Sequence, residues 1–317
     1  MTNPVCVVWV DEPDTYKEAL ARAGLSGRLE VHALNRKDKI PGELAARAEV
    51  LVAWESGGYL KDMPRLRWIQ ATTAGVEAWL ARPELRADVT LTCARGSHRV
   101  PVPENILGAL FHITKPYMAS ALDQRESRWT RRMSVPLAGK TLGILGLGTI
   151  GQELARKAAA LELRVIGTRR TPGAVSHVEK VYAPAETDAV LGRSDFVVLL
   201  LPTTPETENS INAARLNAMK PTAWLINFAR GALIVDADLI AAVKNRTIAG
   251  AVLDVFREEP LPPTHPFWQT EGILVLPHIG GGHPDRRAIV ADMFVENARR
   301  YLEGQPLNAL VDRKRGY

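Results

Sequence analysis

Thr141-Leu142-Gly143-Ile144-Leu145-Gly146-Leu147-Gly148-Thr149-Ile150-Gly151 is the stretch that decides the fold. A short apolar run ends in G-x-G-x-x-G, at Gly146, Gly148 and Gly151, and a helical pattern runs from Gln152 to Leu161. That order predicts strand, tight turn, helix. Gly146 permits the turn, Gly148 lets a pyrophosphate approach the backbone, and Gly151 lets helix and strand pack closely. The free N–H groups at the helix start favour an anion there, as does the helix dipole. A plain glycine-rich turn is the competing reading; the strand before it and the helix after it weigh against that.

Outward from this stretch, Leu163-Arg164-Val165-Ile166-Gly167 reads as the second strand of a nucleotide-binding unit. A chain selective for NAD usually ends this strand in Asp or Glu, which bonds the ribose 2′-hydroxyl. Here it ends in Thr168-Arg169-Arg170, and no acid lies between Glu162 and Glu179. A carboxylate repels a 2′-phosphate, whereas a guanidinium grips it. The arginines follow Gly148 by about 20 residues, the distance at which the ribose is read. NADP(H) is therefore the expected cofactor, with NAD(H) possible. Exposed loop charge is the alternative account of the two arginines.

More apolar runs follow, each closed by a polar or turn residue. Residues 196–201 end at Pro202, residues 224–228 at Ala229-Arg230-Gly231, and residues 273–276 at Pro277-His278. Asp254 falls at the end of the run 248–255. In a doubly wound sheet, ligands sit at the carboxyl ends of the strands. Arg230, Asp254 and His278 all occupy such ends. Singly they read as a surface arginine, a helix cap and a satisfied histidine; together they read as a site.

Upstream, residues 5–10 read as a buried strand, with further apolar runs at 29–34, 50–54, 66–71 and 89–93 and helical patterns between several of them. Strands alternating with helices predict a parallel sheet covered on both faces. This first α/β region lacks the glycine fingerprint. Within it, Thr72-Thr73-Ala74-Gly75-Val76 follows a strand and opens a helical pattern, where backbone N–H groups suit a carboxylate. An ordinary helix start explains the same residues. Residues 104–114 are apolar almost all round, which predicts a helix buried between domains or in a subunit interface. Residues 123–134 read as a polar linker.

The bulk properties narrow the class. A chain of 317 residues suggests two domains. Its composition, 46% hydrophobic and 24% charged, is that of a soluble globular protein. No apolar run approaches the ~20 residues of a membrane helix. The first residues carry no basic region ahead of the apolar segment, so no secretory signal is expected. Cys6 and Cys93 lie in apolar runs and read as buried free thiols, without metal-ligand spacing. A reducing, cytoplasmic setting fits. The net charge of +5 suits anionic small substrates. Arg125, Arg128, Arg131 and Arg132 form the one dense basic patch, and a solvated linker accounts for it better than a nucleic-acid groove.

Several motifs, taken in order, resemble the D-isomer-specific 2-hydroxyacid dehydrogenase family from about residue 50 to the C-terminus. They are Gly146-Leu147-Gly148-Thr149-Ile150-Gly151, Leu201-Pro202-Thr203-Thr204-Pro205-Glu206-Thr207, Asn227-Phe228-Ala229-Arg230-Gly231, Asp254-Val255-Phe256-Arg257-Glu258-Glu259-Pro260-Leu261-Pro262 and Pro277-His278-Ile279-Gly280. His265-Pro266-Phe267-Trp268 resembles the glyoxylate/hydroxypyruvate reductase branch. The resemblance implies two Rossmann- or flavodoxin-like α/β domains with an active-site cleft between them. The substrate domain would comprise residues 1–99 plus 283–317, and the cofactor domain residues 100–282. It also implies a homodimer built on a long apolar helix, here Glu104 to about Ala121.

By motif match, the resemblance makes Arg230 the substrate-binding arginine, Glu259 and His278 the acid/base pair, and Asp254 a neighbour of the nicotinamide carboxamide. It places cofactor contacts at Gly146, Gly148, Thr149, Ile150, Gly151, Thr168, Arg169, Arg170, Leu201, Pro202, Thr207, Phe228, Ala229, Arg230, Asp254, His278 and Gly280. Substrate contacts fall at Thr73, Ala74, Gly75, Val76, Arg230 and His278. Thr168 replaces the family's usual acid, and Phe228 and Gly281-Gly282-His283 differ from its commoner versions. The implied reaction moves a hydride between NADP(H) and a small anionic 2-keto or 2-hydroxy acid. Histidine suits the proton transfer, a carboxylate on its other nitrogen orients it, and an arginine favours the developing oxyanion. No nucleic-acid or membrane partner is expected. The alternatives are a corepressor-like nucleotide-sensing protein on the same fold, or another dehydrogenase of the family, such as one acting on phosphoglycerate.

Overall fold

The computed structural model describes residues 3–171 and 173–316. The chain divides into two compact units: Met1–His98 with His283–Tyr317, and Arg99–Gly282.

The first unit alternates β1 (Val5–Val10), α1 (Asp14–Arg22), β2 (Glu30–Asn35), α2 (Gly42–Arg47), β3 (Val50–Ala53), β4 (Trp68–Ala71), α3 (Glu77–Leu80) and β5 (Thr90–Thr92). Its five parallel strands lie in the order β2-β1-β3-β4-β5. Alternation along β1 makes both faces apolar. Val5, Val7 and Trp9 join one buried cluster with Leu44, Ala45 and Trp79, while Cys6, Val8 and Val10 join another with Tyr16, Leu20 and Phe294. Cys6 and Cys93 are buried and free.

The second unit opens with α4 (Pro101–Thr114) and α5 (Tyr117–Arg125), then runs β6 (Thr141–Leu145), α6 (Thr149–Ala159), β7 (Arg164–Thr168), β8 (Lys180–Tyr182), α7 (Thr187–Arg193), β9 (Phe196–Leu199), α8 (Ala213–Asn217), β10 (Trp224–Asn227), α9 (Asp236–Lys244), β11 (Gly250–Leu253) and β12 (Ile273–Val275). Seven parallel strands lie in the order β12-β11-β10-β9-β6-β7-β8. The order reverses between β6 and β9, the switch point of a doubly wound sheet. Leu142, Ile144, Val198, Ile226 and Val252 pack toward α4 and α6; Leu145, Val197, Leu199, Leu225 and Leu253 pack toward α7, α8 and α9. The chain then returns to the first unit with α10 (Arg286–Leu302), whose Val290, Ala291, Phe294 and Ala298 complete that unit's second cluster.

Two expectations change. The long helix from Glu104 to about Ala121 is two helices. Lys115 is extended (φ −118°, ψ 138°) because it precedes Pro116, which cannot continue the hydrogen-bond ladder. One face of α4 packs within its own unit, where Val102, Ile106, Ala109 and Leu110 join Leu154, Ala155 and Ala158 of α6, while Phe111 stays exposed. The linker begins only after Arg125, because Asp123 belongs to α5. No helix among the described residues is long and apolar enough to cross a membrane.

Candidate active site

The carboxyl end of the seven-stranded sheet gathers most of the residues singled out from the sequence. β6 delivers the glycine turn. Gly146 has φ +112°, and a Cβ there would meet the Leu200 carbonyl oxygen at 2.6 Å. The turn therefore lies directly against the end of β9, where Leu201 and Pro202 leave the sheet. A Cβ on Gly151 would fall 2.3 Å from the Gly146 carbonyl oxygen, so helix and turn touch there. Thr207 shapes the loop after Pro202. Its Oγ1 donates to the Pro202 carbonyl at 2.7 Å and accepts the Thr204 N–H at 2.8 Å.

Gly148 is different. No atom of the described residues lies within 4 Å of a Cβ built on it, and its φ of −80° suits any L-residue. Packing among the described residues therefore does not explain this glycine. Beside it, β7 ends at buried Thr168, whose carbonyl accepts the Leu147 N–H at 2.9 Å. Arg169 and Arg170 follow, both exposed. The Arg170 charge reaches Glu206, whose carboxyl sits below its ordinary range chiefly because the Thr204 hydroxyl bonds it. The cradle thus fits an anionic dinucleotide.

Three strand ends on the other side of the switch point interlock. Asn227, fully buried at the end of β10, accepts the Ala229 N–H at 3.0 Å and donates to the Arg230 carbonyl at 2.9 Å. This pins the turn that carries Arg230, whose Nη1 donates to the Ala229 carbonyl at 2.7 Å. A Cβ on Gly231 would lie 2.0 Å from the Phe256 carbonyl carbon, so the Arg230 turn is seated on the loop after β11. That loop carries Glu259. Its Oε1 accepts the Phe256 N–H at 2.9 Å, and its Oε2 lies 2.6 Å from Nδ1 of His278. Trp268 closes the same loop by donating to the Pro262 carbonyl at 2.9 Å.

His278 occupies a left-handed conformation, φ +52°, which a residue with a side chain adopts only when its surroundings enforce it. They do. Its N–H donates to the Leu276 carbonyl at 3.0 Å, and the next two N–H groups, of Ile279 and Gly280, donate to the two Asp254 oxygens at 2.7 and 2.8 Å. Burial raises the Asp254 carboxyl above its ordinary range, and the two backbone donors counter that. Asp254 therefore fixes the backbone on which His278 stands. The sequence flagged Asp254 at a strand end; its role in holding the histidine loop, and that of Asn227 in holding the arginine turn, require the three-dimensional pairing.

In the first unit, Thr72 ends β4 and Thr73-Ala74-Gly75-Val76 leads to α3. Thr73 Oγ1 donates to the Gly75 carbonyl at 2.6 Å, and the Thr73 carbonyl accepts the Ala94 N–H at 2.8 Å, so the loop is tied locally. Arg286, which the sequence reading passed over, donates to the Thr72 carbonyl at 2.8 Å.

Residues 107–280 match the family model described as "D-isomer specific 2-hydroxyacid dehydrogenase, NAD binding domain". Glyoxylate/hydroxypyruvate reductase A of Photorhabdus laumondii is 33% identical over 265 residues, covering 81% of this chain and 84% of the relative. A D-isomer specific 2-hydroxyacid dehydrogenase from Xanthobacter autotrophicus Py2, solved with NADPH and MES, has a TM-score of 0.85 at 32% identity, with 100% of both chains covered. The NADPH-dependent glyoxylate/hydroxypyruvate reductase of Sinorhizobium meliloti, solved with NADP and sulfate, has a TM-score of 0.83 at 31% identity, again over 100% of both chains. The match spans more than half the chain and includes the glycine turn, the arginine turn and the histidine loop. The chain therefore belongs to the D-isomer specific 2-hydroxyacid dehydrogenase family of NAD(P)-dependent oxidoreductases.

Proposed function

We propose that this protein reduces a small 2-keto acid of the glyoxylate or hydroxypyruvate kind to the D-2-hydroxy acid, preferring NADPH and using NADH less well. The observation that carries the reading is the 2.6 Å contact of His278 Nδ1 with Glu259 Oε2 at the carboxyl end of the cofactor sheet. When bound, the reduced nicotinamide supplies a hydride to C2 of the substrate. With Nδ1 committed to Glu259, Nε2 of His278 is the nitrogen that hands a proton to the carbonyl oxygen as it gains charge. Glu259 orients the ring and supports it while it carries a proton. Arg230 holds the substrate carboxylate and carbonyl oxygen and favours the developing negative charge. Backbone N–H groups of residues 73–76 bind the carboxylate.

The remaining assignments extend the same reading. Gly146, Gly148 and Gly151, with Thr149 and Ile150, hold the pyrophosphate, and Arg169 and Arg170 grip the 2′-phosphate beside Thr168. Leu201, Pro202, Thr207, Phe228, Ala229 and Gly280 wall the cofactor groove, and Asp254 fixes its floor. NADPH and NADP in the two solved relatives support this preference. A cytoplasmic homodimer completes the proposal. The support for a dimer is the run of exposed apolar side chains on α5 and the segment after it, with Tyr117, Met118, Leu122 and Met133 exposed and Trp129 98% exposed. The buried free thiols fit a reducing compartment.

A substrate panel tests the proposal. Glyoxylate, hydroxypyruvate, pyruvate and bulkier 2-keto acids are each assayed with NADPH and NADH. Keto-acid-dependent oxidation of NADPH, fastest with glyoxylate and hydroxypyruvate, is the expected result. No turnover with any of them would refute it.

A further inference from the structure

Among the described residues, Arg286 is a cation that no carboxylate pairs. It opens α10, its Nη2 donates to the Thr72 carbonyl at 2.8 Å, and its guanidinium lies 5.4 Å from the ring centroid of Trp54. Strand register brings these three together. Ala53 pairs with Ala71, and the Thr72 N–H donates to the Ala53 carbonyl at 3.0 Å, so Trp54 and Thr72 leave the sheet side by side. Arg287 pairs with Glu12, but among the described residues no acid pairs with Arg286. It is half-buried, and that burial lowers its affinity for its proton. A guanidinium presents five N–H donors, and the Thr72 carbonyl takes one. His283 lies one turn earlier, its carbonyl accepting the Arg286 N–H at 3.3 Å, and its buried Nε2 has no partner among the described residues. Buried charge and buried polar nitrogens are ordinarily paired. Arg286, held by one carbonyl and one ring and paired with no acid among the described residues, keeps N–H donors for an anion.

Trp54 lines a cavity of about 280 Å³ with Trp9, Arg36, Lys37 and Glu55, at the carboxyl ends of β1, β2 and β3. Arg36 is paired with Asp11, and Lys37 and Glu55 place one charge of each sign on that wall.

We propose that Arg286 binds a second anionic group on the substrate, so that the protein takes 2-keto dicarboxylates, such as oxaloacetate, alongside glyoxylate. This rests on the reading that residues 73–76 hold the first carboxylate, since Thr72, which anchors Arg286, immediately precedes them. The reaction is unchanged: hydride from the reduced nicotinamide to C2, a proton from His278 to the carbonyl oxygen, and a 2-hydroxy dicarboxylate as product.

Steady-state kinetics with saturating NADPH compare wild type, Arg286→Met and Arg286→Lys on glyoxylate and oxaloacetate. Losing a charge-assisted contact costs about 10- to 100-fold. Arg286→Met should lose that much kcat/KM on oxaloacetate, mainly through KM, and less than about threefold on glyoxylate. Arg286→Lys should recover part of the loss. Equal losses on both substrates, or no oxaloacetate turnover by an enzyme that reduces glyoxylate, would overturn the proposal. Tartronate and glycolate, which differ by one carboxylate, supply a readout independent of turnover. Calorimetric titration with NADP present should show tartronate binding wild type at least about tenfold more tightly than glycolate and binding Arg286→Met about as weakly as glycolate, and equal affinities in wild type or an undiminished preference in Arg286→Met would sink the idea. Absence of glyoxylate reduction would count against the proposed function, while the tartronate comparison would still decide the role of Arg286.

Discussion

Phe228 fills the volume that any side chain at residue 280 would need. A Cβ built on Gly280 falls 2.5 Å from Phe228 Cδ1 and 2.7 Å from Asp254 Oδ2. The backbone cannot retreat, because the Gly280 N–H donates to that same oxygen at 2.8 Å. Gly280→Ala is expected to cost about 1–3 kcal/mol, as overpacking of a tight site does. Phe228→Leu on its own opens space and costs about 1 kcal/mol, but it should recover part of the loss when combined with Gly280→Ala. Urea midpoints of the four proteins close the cycle. Strictly additive losses would mean that the ring is not what excludes a side chain.

The glycine turn separates fold from ligand. Gly151→Ala drives a Cβ to 2.3 Å from a backbone oxygen and should lower the melting temperature by several degrees. Gly148→Ala meets no atom of the described residues and should melt close to wild type while weakening NADPH at least about tenfold, since the added methyl stands where the pyrophosphate is proposed to approach. Thermal scans with and without NADPH read both effects. Unchanged NADPH affinity in Gly148→Ala would place the pyrophosphate elsewhere.

Arg169 and Arg170 should discriminate between the cofactors. A charge-assisted bond to a phosphate is worth roughly 1.5–3 kcal/mol. Arg169→Ala and Arg170→Ala should therefore raise KM for NADPH about 10- to 100-fold and leave KM for NADH within about twofold. Equal changes for the two cofactors would show that neither arginine reads the phosphate.

How far the sequence reaches is visible in these same residues. Strand ends were legible because apolar runs closed by polar residues mark them, and so Arg230, Asp254 and His278 stood out together. Glu259 was not legible that way. It sits on a loop past β11, and only the motif match singled it out. The break at Pro116 was written in the sequence, but the apolar run through residue 114 masked it. Arg286 escaped because an arginine in the first turn of an amphipathic helix carries no periodic signal; its interest comes from a carbonyl more than two hundred residues earlier. Asp123 escaped for a similar reason. Its neighbours read as solvated charge, yet it is buried and gathers Arg128 and Arg132.

That cluster makes the segment after α5 sensitive to acid. The Arg132 guanidinium, ahead of Arg128 and Thr130, holds the Asp123 carboxyl down at about 2. An unfolded aspartate titrates near 3.9, so the folded value is depressed. Its contribution is therefore complete above about pH 5 and is lost as pH falls through about 2. Asp123→Asn should speed amide exchange over residues 126–135 at pH 7, and the difference from wild type should vanish near pH 2. A difference that persists unchanged at pH 2 would mean that the charge of Asp123 is not what orders the segment.

The Glu259–His278 pair yields the sharpest expectation, because the two Glu259 oxygens have different partners. His278→Ala removes the proton donor and should lower kcat on glyoxylate by about 10²- to 10⁴-fold, with NADPH affinity within a few fold of wild type. Glu259→Gln is more telling. The Phe256 N–H needs an acceptor, so the amide oxygen must stay on that side and the NH₂ group must face Nδ1. Nδ1 then becomes the acceptor, and the ring loses the carboxylate that supports it when protonated. kcat should fall about 10- to 100-fold with little change in KM, and Glu259→Asp should fall less if water or a loop shift bridges the shorter arm. A Glu259→Gln enzyme with wild-type kcat would show that the carboxylate merely ties its own loop together and takes no part in preparing the histidine.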